Sequence, residues 1–490
     1  MLDIFLGSLT ELLEPYALLL ILGSGIVGLI VGTLPGLNAA MAVAIILPLT
    51  YGMSPEVGLA VLVAVYIAGL SGGMVSAVLL NMPGTPSSVA TTFEGYPMAM
   101  RGEAVKALGT CALASFFGGI LSLGILIAFA PLISKFAIRL TPADYFSISF
   151  MALALVAVLA RGAAINGYFS ALLGLLIGTV GFAPLDGTAR FTFGSVSLMA
   201  GFSVVPVMIG LFALSQVLRE IYSDSPPLKI NLAVKGVGVS IKDIFSNGWN
   251  IIRSSLIGTG IGILPGVGGT ASNMIAYGVA QQSSKTPDNF GKGTTEGLWA
   301  SESANNASIG GALLPLITLG IPGDGVTAIL IGAFMIHGLQ PGPLLYVENP
   351  QIISSIYAAF LLIAVFVLVF QFATLRIFPK VLGIPSNYLM PIIVVFSVLG
   401  AYATDFNTFD VWVMIFIGLF ALLMSRFGLP LAPFVLGFVL GPIVETSFRR
   451  ALMMSDGSYS VFISSPVSLI FILISLAIFV LPILKHLRSK

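Results

Sequence analysis

Charge is the first thing this 490-residue chain lacks. Only 8% of its residues are Asp, Glu, Lys or Arg, while 57% are apolar, and the mean hydropathy is +1.06. Soluble domains carry roughly 25% charge. A chain this poor in charge cannot cover a water-facing surface, so composition predicts an all-α polytopic membrane protein. The formal net charge of +1 supplies no basic face for nucleic acid. Cysteine is scarce too: Cys111 stands alone and cannot close an internal disulfide. Histidine occurs only at 337 and 486, and no His-Glu-x-x-His pair exists, which excludes a metalloprotease. His337 reads instead as a hydrogen-bonded bundle residue. There is no Gly-x4-Gly-Lys-Ser/Thr phosphate loop, so the chain does not hydrolyse ATP itself. An Arg-rich voltage-sensor helix and a potassium-filter sequence are both missing. Met1–Pro15 holds Asp3, Glu11 and Glu14 and no Lys or Arg, the opposite of a signal peptide's basic start, so the first hydrophobic segment is expected to stay in the mature protein.

Glycine and proline are plentiful, at 55 and 28 residues, as transmembrane helices tolerate. Apolar segments lie near 16–31, 39–50, 57–80, 106–133, 146–160, 164–183 and 201–218, then near 250–264, 270–280, 307–320, 326–338, 351–375, 387–403, 409–425, 430–444 and 465–484. Several are too short for a ~30 Å core, which needs about 20 residues, and read as broken or re-entrant helices; about 11 to 13 true spans are expected. Tyr222–Asn250, with Asp224, Pro226, Pro227, Lys229, Lys235, Lys242 and Asp243, reads as a linker, and its surplus of cations argues for the cytoplasm. Trp249, Trp299 and Trp412 are expected as interface anchors.

The two sides of that linker echo each other. Gly32-Thr-Leu-Pro-Gly-Leu-Asn38 returns as Gly262-Ile-Leu-Pro-Gly-Val-Gly268, and Asn81-Met-Pro-Gly84 as Gly320-Ile-Pro-Gly323. Thr141-Pro-Ala-Asp-Tyr145 returns as Ile384-Pro-Ser-Asn-Tyr388, and Pro206-Val-Met-Ile-Gly210 as Pro433-Phe-Val-Leu-Gly437. The order predicts two homologous repeats, 1–221 and 251–447, joined by 222–250 and followed by an extra transmembrane helix and cytoplasmic tail in 448–490. Charge at the N-terminus, linker and tail favours inverted repeats. Arg449 and Arg450 resist that topology, as do the pairs Lys135/Arg139 and Arg376/Lys380 at equivalent places.

Paired segments broken by Gly and Pro are the best sequence pointer to a transporter site. The breaks are Gly32–Asn38 and Asn81–Ser88, then Gly262–Asn273 and Gly320–Gly325. Taken singly, each equally fits a surface turn or a packing kink. In Asn81–Ser88, Thr85 suits an N-cap and Pro86 the first helical position, which leaves a helix N-terminus open to an anion. Thr85 aligns with Asp324, whose carboxylate offers oxygens to a cation or simply caps its own helix. Glu302, Asn305 and Asn306 share a helical face, a set suited to a hard cation such as sodium, or else a polar helix end at the interface. Asn38, Thr270, Ser272 and Asn273 are further candidates for the same oxygen-rich cavity, and Arg161 is the best basic candidate. A channel would share these features; an intramembrane enzyme would need a base that no His or Lys near the Ser/Thr clusters supplies.

Gly32–Asn38 and the run Asn81-Met-Pro-Gly-Thr-Pro-Ser-Ser-Val-Ala90, leading into Phe93-Glu-Gly-Tyr-Pro97 and Arg101-Gly-Glu103, resemble the large membrane subunit of the tripartite tricarboxylate transporters. Gly262–Gly266 and Leu319–Gly323 fit as well, and the resemblance covers nearly the whole chain. It implies a bacterial inner-membrane secondary transporter for citrate or other small carboxylates, driven by a sodium or proton gradient. A small four-helix membrane subunit and a periplasmic solute-binding protein are the implied partners. By this resemblance Pro83, Gly84, Thr85, Pro86, Ser87 and Ser88 lead the substrate-site candidates, with Pro35, Gly36 and Asn38 beside them; the break in the second half adds Pro265, Gly266 and Thr270. Glu302, Asn305, Asn306 and Asp324 are the candidates for cation coupling, and no resident cofactor is expected.

Overall fold

The computed structural model describes residues 2–159, 164–222, 238–376, 378–384 and 386–488. A short helix, α1 (Leu2–Leu12), leads into α2 (Pro15–Thr33), α3 (Ala39–Ile46), α4 (Pro55–Leu80), α5 (Val89–Met100), α6 (Ala104–Ala137), α7 (Pro142–Leu159) and α8 (Ala164–Gly178). A small hairpin, β1 (Gly181–Phe182) and β2 (Ala189–Arg190), follows. Next comes α9 (Val204–Met208), which runs through a π-helical turn, Ile209–Leu214, into α10 (Ser215–Tyr222). The second half comprises α11 (Ile241–Ser246), α12 (Gly248–Gly262), α13 (Gly268–Ser283), α14 (Thr295–Leu319), α15 (Gly325–Ile336), α16 (Pro343–Glu348), α17 (Pro350–Thr374), α18 (Ser386–Asp405), α19 (Thr408–Arg426) and α20 (Leu431–Met454). The chain closes with α21 (Val461–Ser464) and α22 (Pro466–Arg488).

Among the described residues, 8 helices are long and apolar enough to cross a membrane: α2, α4, α6, the α9–α10 run, α17, α18, α19 and α20. Shorter apolar helices occupy Ala39–Thr50, Pro142–Leu155, Ile165–Gly178, Gly325–Ile336 and Pro466–Phe479. The chain is therefore a multi-pass α-helical membrane protein. The sequence expectation of broken segments corresponds to real interruptions. Asn81 (φ 55°) ends α4 and Gly320 (φ 72°) ends α14, both in the left-handed conformation that closes helices, and a proline two residues on prevents their resumption.

α4 and α14 form the buried centre. α4 packs against α2 and α17, and α14 against α12 and α6. Without a hydrophobic force between helices in lipid, such contacts depend on close van der Waals approach, which small residues permit. A Cβ at Gly28, Gly32 or Gly72 would strike backbone across the α2–α4 contact, and one at Gly258, Gly262 or Gly311 would do so across α12–α14.

Three expectations change. The row from Glu302 is not a polar helix end at the interface: α14 begins at Thr295, which carries Glu302 deep into the bundle. Trp299 is fully buried on that helix and is no interface anchor, whereas Trp249 and Trp412 are exposed. α20 continues past 447 to Met454. Arg161 and most of the 222–250 stretch lie outside the described residues; within the remainder, Ser240 and Asp243 form a capping box on α11.

Candidate functional site

After Asn81 the chain turns back toward the bundle. Gly84 packs so tightly that an added Cβ would meet the Gly32 carbonyl, and its amide donates to the Gly73 carbonyl at 3.3 Å. Gly84 therefore holds the turn against α2 and α4, and its amide is already used. Thr85 is extended, and Pro86–Ser88 forms one tight turn feeding α5. The Thr85 hydroxyl lies 3.0 Å from both the Ser87 and Ser88 hydroxyls. It caps no backbone amide, unlike the sequence expectation, because its neighbours' hydroxyls engage it instead. All three side chains are buried, while Pro83 is half-buried and Pro86 exposed.

The N-terminus of α13 comes to the same place. Pro265 is buried, and the Gly266 amide donates to the Gly323 carbonyl at 2.8 Å. Gly268, at φ 54°, starts the helix; a Cβ there would stand 3.2 Å from Cβ of Asp324. A Cβ on Gly269 would stand 2.9 Å from both Asn305 Oδ1 and Ser87 Cβ. The start of α13 is thus wedged between the Thr85–Ser88 turn and the Asp324 turn, and only glycines allow it. Thr270 follows, half-buried.

Asp324 is already engaged. Its Oδ1 accepts from the Thr327 amide and hydroxyl, each at 2.8 Å, and Tyr66 of α4 donates its hydroxyl to Oδ2. Below this, α14 carries a polar row. Glu302 is fully buried; Thr91 of α5 donates to its Oε1, while Ser115 of α6 (3.2 Å) and Asn305 Nδ2 (3.3 Å) donate to Oε2. Asn306 faces a different set: it donates to Ser115 Oγ at 2.7 Å and accepts from Ser71 at 2.8 Å. Asn273 accepts from the Ala90 amide at 2.8 Å and donates to the Ser301 carbonyl at 3.1 Å, tying α13 to α5 and α14. Asn305 Oδ1, buried, has no hydrogen-bond donor among the described residues.

The structure therefore gathers Thr85, Ser87, Ser88, Gly266, Asn305 and Asp324 into one neighbourhood, with Glu302 one helical turn from Asn305. It does not bring Pro35 and Gly36 into it: Gly36 is exposed, facing Gln216 and Glu220. Asn38 caps α3 by accepting from the Met41 amide at 2.8 Å, and α3 packs on α15. Tyr66, Thr91 and Ser115 were not legible as site residues. Tyr66 and Ser115 are single polar groups inside apolar stretches, where the only available signal is that an isolated polar residue at membrane depth needs a partner, and Thr91 stands among Ser87, Ser88, Thr92 and Glu94, where nothing singles it out.

Comparison with known proteins fits this picture. The model of the tripartite tricarboxylate transporter TctA family matches residues 18–436. The chain belongs to the TctA family. TctA is a transporter family, not an enzyme family. A relative from Agrobacterium vitis, described as an uncharacterized 52.8 kDa protein in the TAR-I ttuC' 3' region, is 35% identical over 465 residues, 95% of this chain and 93% of its own. Another protein of that organism, from the TAR-II ttuC' 3' region, is 36% identical over 233 residues, 48% of this chain and 96% of its own. No solved structure matches the chain.

Proposed function

We propose that this TctA-family chain is the large membrane subunit of a secondary transporter that imports a small di- or tricarboxylate across the bacterial inner membrane, coupled to a sodium or proton gradient. A periplasmic binding protein delivers the substrate and a small four-helix membrane subunit completes the assembly. The halves 1–221 and 251–447 are read as an inverted duplication joined by a cytoplasmic linker, working by alternating access. The observation that carries the reading is the meeting of two interrupted-helix N-termini, at Thr85–Ser88 and Gly268–Gly269, in a buried, close-packed neighbourhood of hydroxyls and Asn305. Helix N-termini favour anions, and hydroxyls hold a carboxylate without an arginine. Glu302, fully buried with no ion pair among the described residues, is the neutralisation point for the coupling cation.

Substituting Thr85→Asp tests the carboxylate pocket, because it places a fixed carboxylate where the substrate's would bind. Uptake of labelled citrate into proteoliposomes containing all three components should fall at least ~10-fold in affinity, the scale of one unfavourable charge contact of about 1.4 kcal/mol. Thr85→Ser, which keeps the hydroxyl, should stay near wild type. Normal citrate affinity in Thr85→Asp would overturn the reading. Asp324→Asn, assayed over a range of sodium and proton concentrations, asks whether Asp324 couples or only caps; unchanged cation dependence assigns it to capping.

A further inference from the structure

Asn305 occupies an unusual position. Its Nδ2 donates to Glu302 Oε2 at 3.3 Å, while its Oδ1 points away, unpartnered, toward the start of α13 and Ser87. A buried acceptor without a donor costs free energy, and an acceptor facing a carboxylate pocket opposes the ligand. The second half shows what completes such a site. There Tyr66 of α4 donates to a carboxylate, that of Asp324, which is also held by the amide and hydroxyl of Thr327 at the start of α15. Thr85, Ser88 and Asn305 stand at the same sequence separations from Asp324, Thr327 and Tyr66. The first half thus repeats the arrangement but lacks the protein's own carboxylate, and its tyrosine donor is replaced by an amide whose oxygen faces the pocket.

We infer that Asn305 is the positioning residue linking cation binding at Glu302 to carboxylate binding at Thr85–Ser88, by turning its side-chain amide over. With Glu302 ionised, the carboxylate holds Nδ2 and the pocket sees Oδ1. With Glu302 neutralised, Asn305 Oδ1 turns to it, accepting from the carboxyl O–H if the cation is a proton or binding the ion if it is sodium. Nδ2 then faces the pocket and donates to the substrate carboxylate. The amide's oxygen and nitrogen are close in size, so the turn needs no extra space. It is a rotation only; no covalent bond of Asn305 changes, and the cation stays on Glu302. Cation and carboxylate then raise each other's affinity by the same factor.

Among the described residues no ion pair takes up the charge of Glu302. Cys111 of α6 lies in its field. Glu94 of α5 and Tyr277 of α13 are bonded to each other, Tyr66 of α4 to Asp324, and Arg253 of α12 to Asn250 and Ser283.

The inference rests on the carboxylate reading proposed above, and the test separates the two. Citrate binding to the purified protein is measured across pH without sodium, and across sodium at fixed pH. In wild type the coupling cation should tighten citrate binding by about 5- to 150-fold. Asn305→Leu should bind weakly, without cation dependence. Glu302→Gln, whose amide donates to Asn305 Oδ1 and holds it turned, should bind tightly without cation dependence. A merely structural role would weaken both variants alike. Wild-type dependence in Asn305→Leu, weak binding in Glu302→Gln, or cation-independent binding in wild type overturns the inference. If wild type binds no citrate under any condition, the carboxylate reading fails. The inference is then judged without substrate, by an infrared difference spectrum with labelled asparagine side chains. A cation-dependent amide band lost in both variants supports the turn, and its absence from wild type overturns it.

Discussion

Glu94 shows how one side chain can hold two distant segments. It is fully buried and accepts from the Tyr277 hydroxyl at 2.7 Å and from the amides of Gly291, Gly293 and Thr294 at 2.6, 2.7 and 2.8 Å. It therefore pins α5, which begins at the Thr85–Ser88 turn, to the loop that starts α14. Glu94→Ala leaves those amides without their charged acceptor and should cost about 3 kcal/mol of stability, whereas Tyr277→Phe, which loses one bond, should cost about 1 kcal/mol. Melting of the purified protein in detergent measures both; equal losses would refute the role of the three amides. Glu94 stood in a stretch, Phe93–Pro97, legible as a family motif, but its partners lie in the other half and nothing local announces them. A second residue-scale prediction concerns Asp186. The Thr188 hydroxyl, then Arg449, hold its carboxyl well below the usual carboxylate range. A carboxylate with a lowered folded value stabilises above its unfolded value and loses that contribution as pH falls through the folded one. The hairpin of β1 and β2 should therefore stay docked on α20 at neutral pH and loosen below the ordinary carboxylate range, seen as faster amide exchange at Gly181–Arg190. Asp186→Asn should exchange at the fast rate at neutral pH.

At the scale of elements, the breaks were legible because their chemistry is local: Pro35, Pro83, Pro265 and Pro322 each stop a helix through a missing donor, and Gly36, Gly266, Gly320 and, before Pro83, Asn81 supply the positive φ beside them. What they face was not legible, since contact partners come from the opposite half. Glycines within α12 divide sharply on this point. A Cβ at Gly260 meets nothing within 4 Å, whereas one at Gly262 collides with the backbone of Ser308 on α14. Gly260→Ala should be neutral or stabilising by up to about 1 kcal/mol. Gly262→Ala has to push α12 from α14, costing about 1–3 kcal/mol. Comparison of the two melting temperatures checks this, and a Gly262→Ala protein as stable as Gly260→Ala would show that the α12–α14 contact is looser than described. α14 explains why the row Glu302–Asn306 resembled a polar helix end: its polar residues depress the hydrophobic signal, yet neighbouring hydroxyls and amides hold Glu302 and Asn306 inside the bundle.

The whole molecule is held by exchange between its halves. α20, from the second half, packs on α7 and α8 of the first, where Gly437 and Gly174 allow close approach to Ala171 and Phe434. Conversely the α9–α10 run, from the first half, packs on α18 and α19 of the second, with Gly210 against Met414. Between them, α6 crosses α14 at Gly118 and Gly310, and α17 lies on α4. The four echoes in sequence predicted corresponding elements, but not that each half lends its last helix to the other; periodicity reports which face is apolar, not whose apolar face covers it. The exchange has a measurable consequence. Each half expressed alone would expose to lipid the small-residue faces and buried polar rows that its partner covers, and polar groups in the bilayer without partners cost several kcal/mol each. A chain divided between Tyr222 and Ser240 should therefore yield neither half as a monodisperse protein when expressed singly. Co-expression should give a complex that co-purifies through a tag on one half and shows the uptake and melting behaviour of the intact chain, because the contacts that define the site come from both halves and not from the connection between them. Purification of 1–222 alone with a cooperative melt near that of the intact protein would show that the halves are independent domains and that the crossed packing of α20 and α9–α10 contributes little to the fold.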